Sequence, residues 1–354
     1  MRLITDWFKR TFSDPQIVVL TLILTVGFAV ILTMGDMLTP VIASLVIAYL
    51  LEGLVVSFQG RGLPRMIAVW IVFLAFVLFV SLIIFGLLPL LSRQVTELIQ
   101  QLPSMVAEGQ AALMQLPERF PDVISPQQVE DLLTEIRSEI VGFGQGVLSM
   151  SLSSVVGVLT LLVYLVLMPM LVFFFLKDKD TIISWFTGFL PGERRLADTV
   201  WVEVDRQIGN YVRGKFWEII IVWAASLLAF SFFGLQYAML LAVVVGLSVV
   251  VPYVGATVVT FPVMAVAWFQ WGWGPDFIWV TIAYLVIQAL DGNVLVPLLF
   301  GEVVNIHPIA IIVAILVFGG IWGFWGVFFA IPLATLVNAV IRAWPGSQVT
   351  AQAA

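Results

Sequence analysis

Long apolar runs alternate with two polar segments along this chain. Ile17–Met34, Met37–Val56 and Met66–Leu91 are each near or above the ~20 residues that a helix needs to cross a bilayer. Gly35-Asp36 predicts a short turn between the first two, and Gln59-Gly-Arg-Gly-Leu-Pro64 a turn before the third. Ser149–Leu176 reads as a fourth span containing Pro169, and Phe216–Phe233 as a fifth. Between the third and fourth runs, Ser92–Gly146 is polar and acidic. Val95, Leu98, Ile99 and Leu102 recur there at helical spacing. Ser125-Pro-Gln-Gln128 is a capping-box signature, and Val129, Leu132, Leu133, Ile136 and Ile140 line one face of the helix it starts. This predicts an extramembrane insert of about two amphipathic helices, either a solvated lid packing on itself or a subunit-packing element. The second polar segment, Thr181–Lys215, carries an apolar stripe of Leu196, Val200, Val204, Ile208 and Val212. That stripe predicts a helix lying on the membrane surface and leading into the fifth span.

From Gly234 to Ala339 the pattern changes again. The stretch is almost wholly apolar, yet Gly and Pro break it. Val251-Pro-Tyr-Val-Gly255 interrupts the first run, Gly319-Gly-Ile-Trp-Gly-Phe-Trp-Gly326 the last, and Phe277–Leu290 spans between them. The pieces Ala238–Val250, Gly255–Gln270, His307–Phe318 and Phe324–Ala339 are short for full crossings. Each pair is either one long kinked helix or a re-entrant hairpin. Two hairpins entering from opposite sides would follow the logic of inverted-repeat transporters, where helix ends meet near the midplane.

Composition turns these patterns into a class. Of the 354 residues, 61% are hydrophobic and 11% charged, against roughly 25% charged in soluble domains. The chain is an all-α polytopic membrane protein. A net charge of -6 without a basic tract excludes nucleic acid as a partner. No cysteine excludes disulfides and thiolate metal sites, and one histidine leaves little for any other metal centre. The basic Met1–Arg10 is followed by a run too long for a signal peptide, without a small-x-small cleavage site, so it reads as a retained first helix. Arg2, Lys9, Arg10, Arg61, Arg65, Lys177, Lys179, Arg194, Arg195, Arg206, Arg213, Lys215 and Arg342 fall on one side if both termini are cytoplasmic. The resulting organisation is spans over 1–91, an extracytoplasmic insert over 92–147, the fourth span over 148–176, a cytoplasmic amphipathic segment over 177–215, a transport core over 216–341 and a tail over 342–354.

Polar groups inside the broken half are the candidate chemistry, because ionisable groups at membrane depth are expensive and usually functional. Asp291 stands first: its carboxylate either holds a sodium ion with carbonyl oxygens, carries a proton, or only caps Gly292-Asn293 at a helix end. Asn293 supplies an amide to a ligand or serves the Asp-Gly-Asn turn. Gln288 lies about one turn before Asp291 on the same face. Glu302 and His307 sit in a short loop; Glu302 reads as interfacial, and His307 before Pro308 starts a helix or senses protons. Pro252, Tyr253 and Gly255 break the backbone and either line a site or only kink a helix. Gly319, Gly320, Gly323 and Gly326 form the second break, flanked by Trp322 and Trp325. The aromatics from Trp268 to Trp279 suit an interfacial belt. Arg213 and Lys215 read as surface anchors. No nucleophile elbow, metal motif, phosphate loop or cofactor fingerprint appears, so neither an enzyme nor a cofactor is expected.

Several short stretches together resemble one family. They are Phe173-Phe-Phe-Leu-Lys-Asp178, Tyr211-Val-Arg-Gly-Lys215, Gly234-Leu-Gln-Tyr-Ala-Met-Leu-Leu241, Val251-Pro-Tyr-Val-Gly255, Gln288-x-x-Asp-x-Asn-Val-Leu-Val-Pro297, Gly301, His307-Pro308, Gly326 and Ile331-Pro332. The series is similar to the autoinducer-2 exporter family of PerM-like permeases over nearly the full length. The resemblance implies about eight membrane segments, both termini inside the bacterial cytoplasmic membrane, a homo-oligomer, and export of a small polar metabolite such as autoinducer-2, with sodium/proton antiport ascribed to some members. Ala256 stands where a second proline often follows the glycine, Asp291 where many members have Glu, and Glu302 where a basic residue is common. The last change makes the site more acidic and weighs against an anionic solute. Three functions are thus expected to compete: a metabolite exporter, a cation/proton antiporter centred on Asp291, and a non-transporting oligomeric scaffold. The partners are a small-molecule or cation substrate, lipid and further copies of the chain.

Overall fold

A computed structural model describes residues 15–114, 155–189, 195–252, 254–300 and 307–343, together with the single positions Gln127 and Gly142. The helix expected from Ser125, Tyr253, Glu302 and the C-terminal end of the tail lie outside these residues. Among the described residues the chain is helical throughout: α1 Pro15–Gly60, α2 Arg65–Leu82, α3 Leu88–Met114, α4 Val155–Lys177, α5 Lys179–Gly188, α6 Arg195–Phe233, α7 Ala238–Ser248, α8 Val254–Trp271, α9 Pro275–Leu290, α10 Val296–Phe300, α11 Pro308–Phe328 and α12 Ala330–Ala343. A π-helical turn at Ile83–Leu87 joins α2 to α3, and another at Asp291–Leu295 joins α9 to α10. Among the described residues six stretches are long and apolar enough to cross a membrane: Met37–Gly60, Arg65–Ala111, Val200–Phe233, Val254–Trp271, Pro275–Phe300 and Ile309–Phe328.

The turn expected at Gly35-Asp36 is absent. Both residues lie inside α1, whose 46 residues make one helix about 69 Å long. One Gly and one Asp cost a helix roughly 1 kcal/mol or less each. Opening the backbone among apolar residues would leave several amides without partners, which costs more. The two apolar runs are therefore two halves of one helix, and Pro15 and Gly60 are its opposite ends. The first-to-second-span hairpin on which the expected placement of the N-terminus rested does not form.

The surface helix expected before the fifth span is also absent. Residues 195–233 form the single helix α6. Val200 and Val212 of its stripe are buried, and Ile208 packs against the core formed by Tyr211, Val212, Phe300, Ile311 and Ile331. The stripe meets protein rather than lipid head groups, because α6 has partners on several sides.

The described residues form three apolar cores. One joins α1, α2 and α4 through Ala48, Val55, Val69, Val72, Val172 and Leu176. At its edge Glu52 accepts from both Arg65 nitrogens, at 3.1 and 3.3 Å, and from Lys179 at 3.3 Å, while Arg65 also donates to the Leu176 carbonyl at 2.8 Å. The other two cores share α6. Its C-terminal half packs with α7, α8 and α9 around Phe230, Val245, Val263 and Tyr284, and its N-terminal half with α10, α11 and α12. Tyr49 of α1 donates to the Asp205 carbonyl at 2.9 Å and to its carboxylate, which ties the first bundle to α6.

The start of the polar insert does not stand apart as a lid. α3 continues the third span through the π turn, and its Leu98 and Met105 pack on the α7–α8 core. Gln94 Oε1 accepts from the Leu240 amide at 2.8 Å, filling one of the free N–H groups at the start of α7.

Candidate functional site

Both broken segments are helical hairpins. In the first, Gln270 Oε1 accepts from the Gln236 amide at 2.7 Å and Gln270 Nε2 donates to the Gly234 carbonyl at 2.8 Å. The start of α7 thus meets the end of α8, so the two run antiparallel, with residues 249–252 at the tip. In the second, Ile311 and Ile331 share one core, although 20 residues of straight helix would separate them by about 30 Å. The reversal is at Gly323, whose φ of 57° and ψ of -135° suit glycine alone.

The two tips are closed in the same way. A Cβ on Gly255 would lie 1.8 Å from the Ser248 carbonyl oxygen, and a Cβ on Gly326 would lie 1.8 Å from that of Phe318. In each hairpin the second arm passes over the carbonyl end of the first, at a distance that only glycine permits. Kinked full helices would not need this contact.

α6 carries the side chains that meet these hairpins. Tyr211, Lys215 and Glu218 follow one another at i, i+4 and i+7 and so share one face. Lys215 Nζ donates to Glu218 Oε2 at 2.7 Å and to the Val249 carbonyl of the first tip at 2.6 Å. One turn away, the Tyr211 hydroxyl donates to the Phe328 carbonyl of the second hairpin at 2.9 Å. Lys215 and Glu218 are 4% and 2% exposed, so the pair is interior. The Phe300 ring centroid lies 5.4 Å from Lys215 Nζ. Lys215 is therefore no surface anchor, as its place in a basic stretch suggested. Arg213 does face outward, donating to Asn210 Oδ1 at 3.0 Å.

α9 brings a second polar row to the same place. Tyr284, Gln288 and Asp291 are again at i, i+4 and i+7. The fully buried Tyr284 hydroxyl is 3.0 Å from Thr260 Oγ1 and donates to the Ala256 carbonyl at 3.2 Å, which fixes the row against α8. The π turn that begins at Asp291 packs on α6, the helix that carries Lys215 and Glu218. Asp291 Oδ1 is buried without a hydrogen-bond partner. A buried polar atom of this kind calls for a ligand, a water or an ion.

The other expected residues are placed as follows. Asn293 is exposed and its amide donates to the Ala289 carbonyl of its own helix at 2.8 Å, so it serves the π turn rather than a β-turn. Pro252 stands in the first tip, where its carbonyl accepts from Val254 at 2.7 Å. Gly319 abuts Val327, Gly320 faces open space, and Trp322 and Trp325 each stack on Phe329. His307 caps α11, its Nδ1 accepting from the Ile309 amide at 3.3 Å, with Pro308 at the first helical position. Among the described residues no three His, Asp or Glu side chains gather to hold a metal ion. The structure therefore brings together Asp291, Gln288 and the first tip, adds Lys215, Glu218 and Tyr211, and leaves Asn293 and Gly320 outside. Glu218 had a visible signal, a carboxylate within an otherwise apolar span. Lys215 had a weaker one, the i, i+3 spacing of opposite charges.

Comparisons with known proteins agree with the architecture. The family described as AI-2E family transporter matches residues 19–346. A protein of Escherichia coli K12 named as a permease, PerM, is 46% identical over 349 residues, covering 99% of each chain. Two Bacillus subtilis proteins named as transport proteins are more distant: YrrI is 24% identical over 303 residues, 85% of each chain, and YueF 26% over 303 residues, 83% of this chain and 80% of its own.

Proposed function

Because the chain belongs to the AI-2E family of transporters, we propose that it is a secondary transporter of the bacterial cytoplasmic membrane, exporting a small polar metabolite of the autoinducer-2 kind. The observation that carries this reading is the buried polar site at the first hairpin tip. Lys215 and Glu218 on α6, the Val249 carbonyl and the partnerless Asp291 Oδ1 converge between helices that are otherwise apolar. Such a site is costly to build and serves no packing purpose. The hairpin tips are the moving parts in this proposal, re-entrant in the membrane, and the α1–α2–α4 bundle is the frame. Hydroxyl-rich solutes suit the site, because Asp291, Gln288 and the tip carbonyl offer acceptors and a donor within one face.

A second reading, a sodium or potassium/proton antiporter, is favoured by one feature: Asp291 stands in a π turn that packs on α6, the helix carrying the buried Lys215–Glu218 pair. Proton flux in proteoliposomes under an imposed sodium or potassium gradient separates the two, with Asp291→Asn alongside. Gradient-driven flux that Asp291→Asn abolishes makes the protein ion-coupled through Asp291. Flux that the substitution leaves intact removes Asp291 from the path. If neither sample conducts, uptake of autoinducer-2 into inverted vesicles tests uncoupled export. A non-transporting scaffold shows no flux in either assay.

A further inference from the structure

We infer that the position held by the Lys215 ammonium is a monovalent-cation seat that closes the first hairpin, filled in this structure by the chain's own side chain. The inference concerns the site from which the transport reading starts, but its test measures no flux, so either can fail alone.

The seat has the donor set of a cation site. Glu218 supplies a carboxylate oxygen at 2.7 Å and Val249 a carbonyl at 2.6 Å, and the Phe300 ring stands 5.4 Å away at cation–π range. Val249 is the C-terminal cap of α7, so its carbonyl is among the unpaired groups at the negative end of a helix dipole. One ammonium thus faces a carboxylate and a helix end, and the seat remains attractive to cations when the lysine leaves it.

The same contacts explain why filling the seat closes the tip. Lys215 and Glu218 are both on α6, so their ion pair alone holds nothing across helices. The bond to Val249 is the contact that reaches the hairpin. Without a cation, Val249 would be a buried acceptor beside a buried unpaired carboxylate, and the tip would move to let water in. Lysine suits a reversible plug, because its charge is carried on a flexible four-carbon stem with three donors. Any monovalent cation able to reach the seat, an alkali ion or a protonated amine, does the same work once the stem swings away.

The chain has no cysteine, so a single introduced thiol reports the tip without background. Val250, 6% exposed, is the reporter position as Val250→Cys in the purified full-length protein. Its labelling by a membrane-impermeant maleimide is expected to be slow in the parent. Lys215→Ala is expected to speed it by about tenfold or more, the loss of one charged hydrogen bond across the tip. Ammonium or methylammonium is expected to restore slow labelling, and Glu218→Gln in the same chain to abolish that restoration. Ile321→Cys, at the exposed second tip, should label at one rate throughout. If Lys215→Ala does not yield folded protein, Lys215→Met keeps the stem's packing and is expected to label fast without rescue. Slow labelling in the neutral variants overturns the seat. So does fast labelling that ammonium, methylammonium, sodium and potassium all leave unchanged in Lys215→Ala.

Discussion

The two hairpins share one backbone device and differ in what meets their tips. Both close by passing a glycine over a carbonyl, Gly255 over Ser248 and Gly326 over Phe318. The first tip then meets a buried ion pair through Val249, whereas the second hairpin meets α6 through a neutral tyrosine, Tyr211, which donates to the Phe328 carbonyl and packs edge-on to the Phe328 ring. An ion pair in a low-dielectric interior is sensitive to any change in its charges; a neutral tyrosine contact is not. The difference teaches that fold and chemistry are separable here. Glycine makes the hairpins, and the residues facing them decide which one meets buried charge.

The sharpest way to break this comparison is at the shared device. Gly255→Val and Gly326→Val should each remove more than about 4 kcal/mol, since backbone cannot yield as a side chain does. Both are expected to give little monodisperse protein after detergent extraction, while Gly320→Ala, in open space, should behave as the parent. Equal recovery of all three would show that the tips are looser than described.

The next effect should separate the hairpins. Lys215→Met leaves Glu218 buried without its partner, a loss of about 3–5 kcal/mol. Tyr211→Phe removes one neutral hydrogen bond, about 1 kcal/mol. Thermal unfolding midpoints should therefore fall well below the parent for the first and only slightly for the second. Similar shifts would erase the distinction between the two tips.

The smallest effect belongs to the ion cluster at the edge of the first bundle. Glu52 contacts Arg65 and Lys179, but both cations are partly exposed, with side chains 27% and 43% accessible. Glu52→Gln should cost no more than about 1 kcal/mol, and salt should lower the parent's midpoint by a similar small amount. A loss as large as that of Lys215→Met would mean that this cluster, too, is sealed from solvent.

Much of the fold was legible from residue pattern. Among the described residues, the apolar runs Met37–Val56, Met66–Leu91 and Phe216–Phe233 each fall within a helix long and apolar enough to cross a membrane, whereas Ser149–Leu176 does not, and the Gly and Pro clusters located both breaks to within a few residues. Asp291 and Gln288 stood out because an apolar helix has few reasons to carry them. Other features were misread because they depend on neighbours. Gly35-Asp36 looked like a turn, and the stripe from Val200 to Val212 looked lipid-facing. Lys215 looked like an interfacial anchor because it ends a basic stretch. Pattern registers how a residue relates to its own helix; it does not register what packs on it.

Composition and periodicity by themselves determined that this chain is a polytopic helical membrane protein, broken at two places in its C-terminal half. Hydrophobic burial and backbone satisfaction in a bilayer are local demands, met within one segment, so they leave their mark on contiguous sequence. Only the tertiary structure decided that the breaks are hairpins, that Lys215 joins Glu218 to Val249, and that the π turn of Asp291 packs on the same helix. Those residues come from α6, the first tip and the π turn, between 215 and 291 in the chain. Their meeting depends on glycine contacts across helices and on a helix surface shared by both hairpins, relations that no single stretch of residues contains.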